Sequence, residues 1–275
     1  AFQVLDDYLT LHEDEVVEIE MLPPALQPMD GSFILHEGLN VGIPKETLVL
    51  AYLAARSYFN AGSKDVLSPV THRASRIVLL FDPEHVTAAG FRKRRLLELK
   101  GEEHFSKTLT QELALLNSIL TSPLHRQSKS PTLWFHRLWL MHLLLPYQLS
   151  ENGSHQFLSF VRAEQDAVFK AGERHPKNYY AWQYQRRLFN IINKYYGDGS
   201  NYLWKSTYPE FLVTSTLMVK SWCLRHPSDI SGWSCLLSMV ARLEPTAKRP
   251  QIIKEVIDWT IKLQSEQESI WIFLR

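Results

Sequence analysis

At 275 residues, 45% hydrophobic and 21% charged, the chain has the make-up of a folded globular protein of one or two domains. A formal net charge of +1 excludes the broad basic field of a nucleic-acid or membrane-surface binder. Cys223 and Cys235 are the two cysteines; they exclude a disulfide framework and are not spaced as a CxxC pair.

The start, Ala1 to Asp7, is acidic and lacks the charged-then-apolar pattern of a signal peptide. With so few cysteines it predicts a reducing, cytoplasmic location. Residues 1–43 read as an N-terminal extension of mixed structure. Val16 to Met21 alternates loosely, Pro23 and Pro24 break it, and Ser32 to Val41 suits a short strand or loop. Residues 44–275 read as one helical-repeat domain. It opens with Lys45 to Phe59, where Leu48, Tyr52, Ala55 and Phe59 fall at three- and four-residue spacing.

From there a unit recurs. Its copies are Thr87–Leu97, Ser130–Trp139, His175–Phe189, His226–Trp233 and Ser269–Arg275. The aromatic anchors are Phe91, Trp134, Trp182, Trp233 and Trp271, separated by 43, 48, 51 and 38 residues. Periods of this length suit paired helices stacked as a solenoid. Four residues before the first four anchors stand Thr87, Ser130, Asn178 and Asp229, each able to accept a backbone N–H at a helix start. Gln267 holds that place in the last copy and fits less well. Pro131 suits the first helical position, while Pro176 and Pro227 stop the preceding helices. The first helices of the pairs are expected near 70–81, 103–120, 154–172, 206–225 and 248–264, with loops at Glu151–Ser154 and Gly197–Asn201. The fold class is therefore all-α. It is a superhelix, or solenoid, of about five helical-hairpin repeats with a short mixed N-terminal extension.

Leu133 to Leu145 is the longest apolar stretch, but it contains His136, Arg137 and His142 and stops at Pro146. It is too short and polar for the ~20 residues of a membrane span. Arg92-Lys93-Arg94-Arg95 spreads around all faces of a helix and forms no nucleic-acid stripe. The repeat alignment makes Arg94 and Arg95 structural. No HExxH and no Cys–His ligand spacing occurs among the eleven histidines, so no intrinsic metal site is expected. No GxSxG, Walker A or GxGxxG motif is present.

The repeat resembles that of protein prenyltransferase α subunits. These carry an Asn-Tyr pair, a Trp three residues after the Tyr, and Arg soon after the Trp. Pro176 to Trp182 matches best, through Asn178, Tyr179 and Trp182. Phe91 with Arg94 and Arg95, and Trp134 with Arg137, match in turn. Trp182 is followed by Gln185 and then Arg186, and Trp233 by Leu236 and Leu237, so the pattern lapses there. The resemblance covers roughly residues 65–275. It implies the non-metal α subunit of a heterodimeric geranylgeranyltransferase. Zinc and geranylgeranyl diphosphate would sit on a β subunit of the Rab geranylgeranyltransferase type. The acceptor would be a protein with a C-terminal cysteine, even one already prenylated. In such a family Lys177 and Tyr179, with Tyr180 as a weaker candidate, contact the lipid diphosphate. The competing reading is a non-catalytic, TPR-like scaffold that binds partner proteins, although TPR units are shorter, at about 34 residues.

Overall fold

Helical periodicity governs most of the chain in the computed structural model, which describes residues 1–28, 31–151, 154–197, 202–243 and 248–275. The two sequence-predicted loops, at Glu151–Ser154 and Gly197–Asn201, lie largely outside these residues. The chain divides into two compact units, Ala1–Tyr147 and Gln148–Arg275.

The first unit opens with helix α1 (Phe2–Leu11), within the segment read from sequence as an extension of mixed structure. Leu5, Tyr8 and Leu9, at three- and four-residue spacing, form its buried stripe. Strands β1 (Glu18–Leu22), β2 (Leu35–Glu37) and β3 (Asn40–Pro44) follow and make a sheet ordered β1-β3-β2. β1 runs parallel to β3, with Ile19 opposite Val41, and β2 runs antiparallel to it, with Glu37 opposite Asn40. Ile19, Val41 and Ile43 bury one face. Gly38, at φ +55, makes the tight turn from β2 to β3, a backbone shape that favours glycine. Its carbonyl accepts from Tyr8 Oη at 2.9 Å, which ties α1 to the hairpin. Then come α2 (Lys45–Gly62), α3 (Pro69–Phe81), α4 (Val86–Glu98), α5 (Phe105–Leu120), α6 (His125–Ser128) and α7 (Pro131–Glu151). α1 packs on α2 and α3, successive helices from α2 to α5 pack on one another, and β1 packs on α5. Residues 1–44 are thus built into this unit.

The second unit holds α8 (Ser154–Arg174), α9 (Tyr179–Gly197), α10 (Tyr202–Arg225), α11 (Ile230–Val240), α12 (Lys248–Lys262) and α13 (Glu268–Leu274). α8 pairs with α9, α10 with α11 and α12 with α13. α8 touches α10 and α10 touches α12; α9 touches α11 and α11 touches α13. Within this unit three hairpins therefore stack in two layers, as a repeat array requires.

The expected caps hold at three starts of four. Ser130 Oγ accepts from Leu133 N at 3.1 Å, Asn178 Oδ1 from Ala181 N at 3.3 Å, and Asp229 Oδ1 from Ser231 N at 3.0 Å. The fourth is a correction. α4 begins at Val86, so Thr87 lies inside its first turn, and His85 Nδ1 takes the cap by accepting from Ala88 N at 3.1 Å.

Candidate functional site

Four of the five anchors are sealed in the interior: Phe91, Trp134, Trp182 and Trp233 are all essentially inaccessible. Trp134 Nε1 donates to Ser128 O at 2.8 Å, and Trp233 Nε1 donates to Pro227 O at 3.0 Å. Each indole thus satisfies the carbonyl six residues upstream and locks the turn into its own helix. Trp271 is a correction, since it is 54% exposed. In α13 the inward positions are Ser269, Ile270 and Phe273, and Phe273 packs on Trp233 at 5.3 Å between ring centroids. Gln267 makes no side-chain cap bond at the start of α13.

The segment before α9 is held from inside. Asn178 is fully buried as the cap, and Asp229, 1% exposed, reaches across from the start of α11. Asp229 Oδ2 accepts from Lys177 N at 2.6 Å while Oδ1 accepts from Ser231 N and Gly232 N. Lys177 sits at φ +58, a left-handed conformation that costs a non-glycine residue about 1–2 kcal/mol. The charge-assisted bond to Asp229 offsets that strain. The side chains of Lys177 and Tyr179 point to solvent, Tyr179 being 50% exposed. Tyr180 is half-buried and meets the Tyr179 ring edge-on at 5.3 Å. Tyr179 Oη accepts from Gln183 Nε2 at 2.9 Å. The structure thus places Lys177 and Tyr179 together at the start of one helix.

The arginines divide. Arg137 is buried, its guanidinium 5.8 Å from the Trp134 ring. Arg186 Nη1 donates to Ser234 Oγ at 3.3 Å between α9 and α11. Arg95 Nη1 donates to Val66 O at 3.0 Å, and Arg94 is exposed. The buried member of the basic run is Arg92, which the sequence reading missed. Its Nε donates to Glu112 Oε1 at 2.9 Å and its Nη2 to Oε2 at 2.6 Å, while Nη1 donates to Ser75 Oγ at 2.8 Å and His72 O at 3.2 Å. Beside it Arg76 Nη2 donates to Asp6 Oδ1 at 2.6 Å and Nη1 to Leu9 O at 3.0 Å. A cavity of about 40 Å³, lined by Leu9, His72, Arg76, Arg92 and Glu112 among others, adjoins this network.

Burial pushes the Glu112 carboxyl up, yet the Arg92 guanidinium holds it net below the ordinary carboxylate range. Burial drives His136 down to about 4, although its Nε2 lies 3.3 Å from Glu112 Oε1. Desolvation outweighs that neighbour, so the imidazole is neutral at pH 7. His72 is lowered too, by burial and then by Arg92, Arg95, Arg76 and Arg73. Through Arg76 to Asp6 and Leu9 O, and through Arg92 to Glu112, Ser75 and His72 O, this network fastens α1, α3, α4 and α5 together.

Among the described residues no group of three or more His, Cys, Asp or Glu is placed to hold a metal ion. No helix of the described residues is long and apolar enough to cross a membrane.

A family model for the ECM9 middle domain matches residues 133–258. That span runs from α7 to α12 and contains Trp134, Trp182, Trp233 and the Lys177–Tyr180 segment. The match corrects the resemblance to prenyltransferase α subunits, because the family model that aligns with these repeats is not one of theirs. No curated protein matches the chain.

Proposed function

We propose that this chain is a helical-repeat scaffold whose stacked hairpins present a surface to a partner protein. The observation that carries this reading is the division of labour in the second unit. Buried Asn178, Asp229, Trp182 and Trp233 fix the hairpins, while Tyr179, Leu237, Ile257 and Trp271 are left exposed on them. Rigid arrays with exposed aromatic and aliphatic residues are how repeat proteins bind others. The buried free thiols of Cys223 and Cys235 suit a reducing, cytoplasmic setting. The test is affinity purification of the tagged chain at native abundance, alongside Tyr179→Asp and Leu237→Asp variants of unchanged helicity. A stoichiometric protein partner released by either variant is expected. A chain that purifies alone would refute the scaffold role.

A second reading is the non-metal subunit of a protein geranylgeranyltransferase. It is favoured by one observation: Lys177 and Tyr179 are exposed together at the N-terminal end of α9. A Lys ammonium is a compact positive charge that suits a diphosphate. This role needs a zinc-bearing β subunit of the Rab geranylgeranyltransferase type and an acceptor with a C-terminal cysteine. Co-expression with that β subunit, size-exclusion chromatography and single-turnover transfer decide it. Transfer slowed in Lys177→Ala and Tyr179→Phe heterodimers supports it, and failure to form a heterodimer removes it.

A further inference from the structure

The cavity of about 40 Å³ beside Arg76 and Arg92 lies wholly within the first unit, between the end of α1 and helices α3, α4 and α5. It is preformed. Gln111 Nε2 of α5 donates to Glu13 Oε1 at 2.9 Å and to Asp14 Oδ1 at 3.1 Å, and Ser118 Oγ accepts from Val17 N at 2.8 Å. The turn from α1 to β1 is thereby pinned along α5. The cavity floor has donors to spare, although Arg76 is only 5% exposed and Arg92 only 3%. Arg76 spends Nη2 on Asp6 Oδ1 and Thr10 Oγ1 and one hydrogen of Nη1 on Leu9 O, while its Nε has no partner. Arg92 spends Nε on Glu112 and Nη1 on His72 O and Ser75 Oγ, while Nη2 gives one hydrogen to Glu112 Oε2 and keeps the other. The local field has the same sense. Arg92, Arg95, Arg76 and Arg73 all bear on His72 in the cavity wall and, after burial, help to hold its imidazole neutral. Water would satisfy the spare donors but leave that field unanswered; a bound anion answers both.

We propose that this cavity binds a small monocarboxylate, whose oxygens accept from Arg76 and Arg92 and whose short apolar end rests on Leu9, Val17 and Leu115. Its volume, its wall and its charge select that chemistry. A water needs about 10–15 Å³ of such space, so there is room for about three, which a carboxylate with one or two further carbons fills. The three aliphatic side chains in the wall offer no donor, so an ion with oxygens on every side, such as phosphate, leaves acceptors unpaired there. Glu112 is part of the lining, and Glu13 and Glu15 stand exposed at its rim, so a second negative charge on the ligand is repelled. A planar carboxylate also matches the planar guanidinium donors. The site shares no residue with the Lys177–Tyr180 segment, so it stands or falls independently of either reading of the repeats.

The experiment follows the histidine ring signals of the full chain by proton–carbon NMR, in a carboxylate-free buffer at neutral pH, as sodium acetate or sodium propionate is added. The His72 signal is assigned by its loss in His72→Gln. Wild type is expected to show a saturable shift of that signal, with half-saturation on the order of 1 mM, as a ligand of so few atoms requires. Sodium chloride and inorganic phosphate at matched ionic strength should produce no saturable shift. Leu115→Trp fills the cavity without removing a hydrogen bond and should weaken binding by about tenfold or more. Arg76→Lys keeps the charge, loses the planar fork and should weaken binding by about as much. Far-UV circular dichroism confirms that each variant is folded, and the two variants guard against loss of fold in one. Three results overturn the proposal: a His72 signal that neither carboxylate moves, an equal saturable shift with chloride or phosphate (an adventitious ion only), or unchanged affinity in both folded variants.

Discussion

Trp182→Ala removes the side chain at the centre of the second unit, and the structure sets its cost. The ring is fully buried, lies 4.7 Å from Trp222 at 66°, and lies 6.0 Å from Phe169. Truncating a buried Trp to Ala costs about 3–5 kcal/mol, the residual cavity included. The edge-on contact with Trp222 favours the upper half of that range, since such pairs add about 0.5–1.5 kcal/mol beyond area. The indole Nε1 has no hydrogen-bond partner among the described residues, so the truncation orphans no acceptor and should not exceed the range. For a unit of this size the loss should lower the melting temperature by roughly 10–20 °C. Trp271→Ala is the paired control, because a half-exposed side chain should change stability by no more than about 0.5–1 kcal/mol. Urea and thermal unfolding followed by circular dichroism measure both. Equal effects of the two substitutions would mean that the anchors occupy equivalent environments, and the register assigned to α13 would be wrong.

Two further outcomes test the packing. Gly232→Ala would place a Cβ 2.8 Å from Trp222 Cζ3 and 3.3 Å from Trp182 Cζ2. Overpacking of about 1–3 kcal/mol then exceeds the ~1 kcal/mol gain in helix propensity, so urea unfolding should show a net loss, larger than for Gly172→Ala, where the nearest atom is at 3.0 Å. The first unit should lose stability in acid. His136 has its folded pKa lowered to about 4, so its contribution is complete above the unfolded value near 6.5 and is lost as pH falls from there through 4. The loss should reach on the order of 3 kcal/mol, with Glu112 adding to it at still lower pH as its depressed carboxyl takes up a proton. A His136→Phe variant should flatten the slope between pH 6.5 and 4, and an unchanged slope would show that the imidazole is not held neutral.

Where local physics decides structure, the sequence was enough. The first helices of the pairs fall within a few residues of expectation at α3, α5, α8, α10 and α12, where long runs of helix-forming residues stand between turns. Three caps and four anchors follow from the same rules. Helix α1 was not legible, because its stripe of Leu5, Tyr8 and Leu9 is short and opens without a capping side chain. Its place depends on Asp6 meeting Arg76 across 70 residues, which no local window contains. Arg92 was half legible. Four consecutive basic residues on a helix oblige one to face inward, and Phe91, Ala88 and Leu96 mark that inner face. What could not be read was its partner, since Glu112 lies one helix later.

The Asn-Tyr-x-x-Trp segment is the instructive failure. A hairpin that must start a helix cleanly needs an accepting side chain at the cap, and Asn178 supplies it from a fully buried position. The side chain four residues on lies one turn inside and faces the neighbouring hairpin, so it is large and apolar, and Trp182 fills that place against Trp222. Ser130 with Trp134 and Asp229 with Trp233 meet the same two demands with other capping residues. The spacing of cap and anchor is thus a consequence of stacking helical hairpins, and unrelated hairpin repeats will converge on it. Likeness in those positions carries information about architecture. Information about chemistry resides in residues the hairpin does not require, and in this segment those are Lys177 and Tyr179, whose side chains no stacking demand fixes.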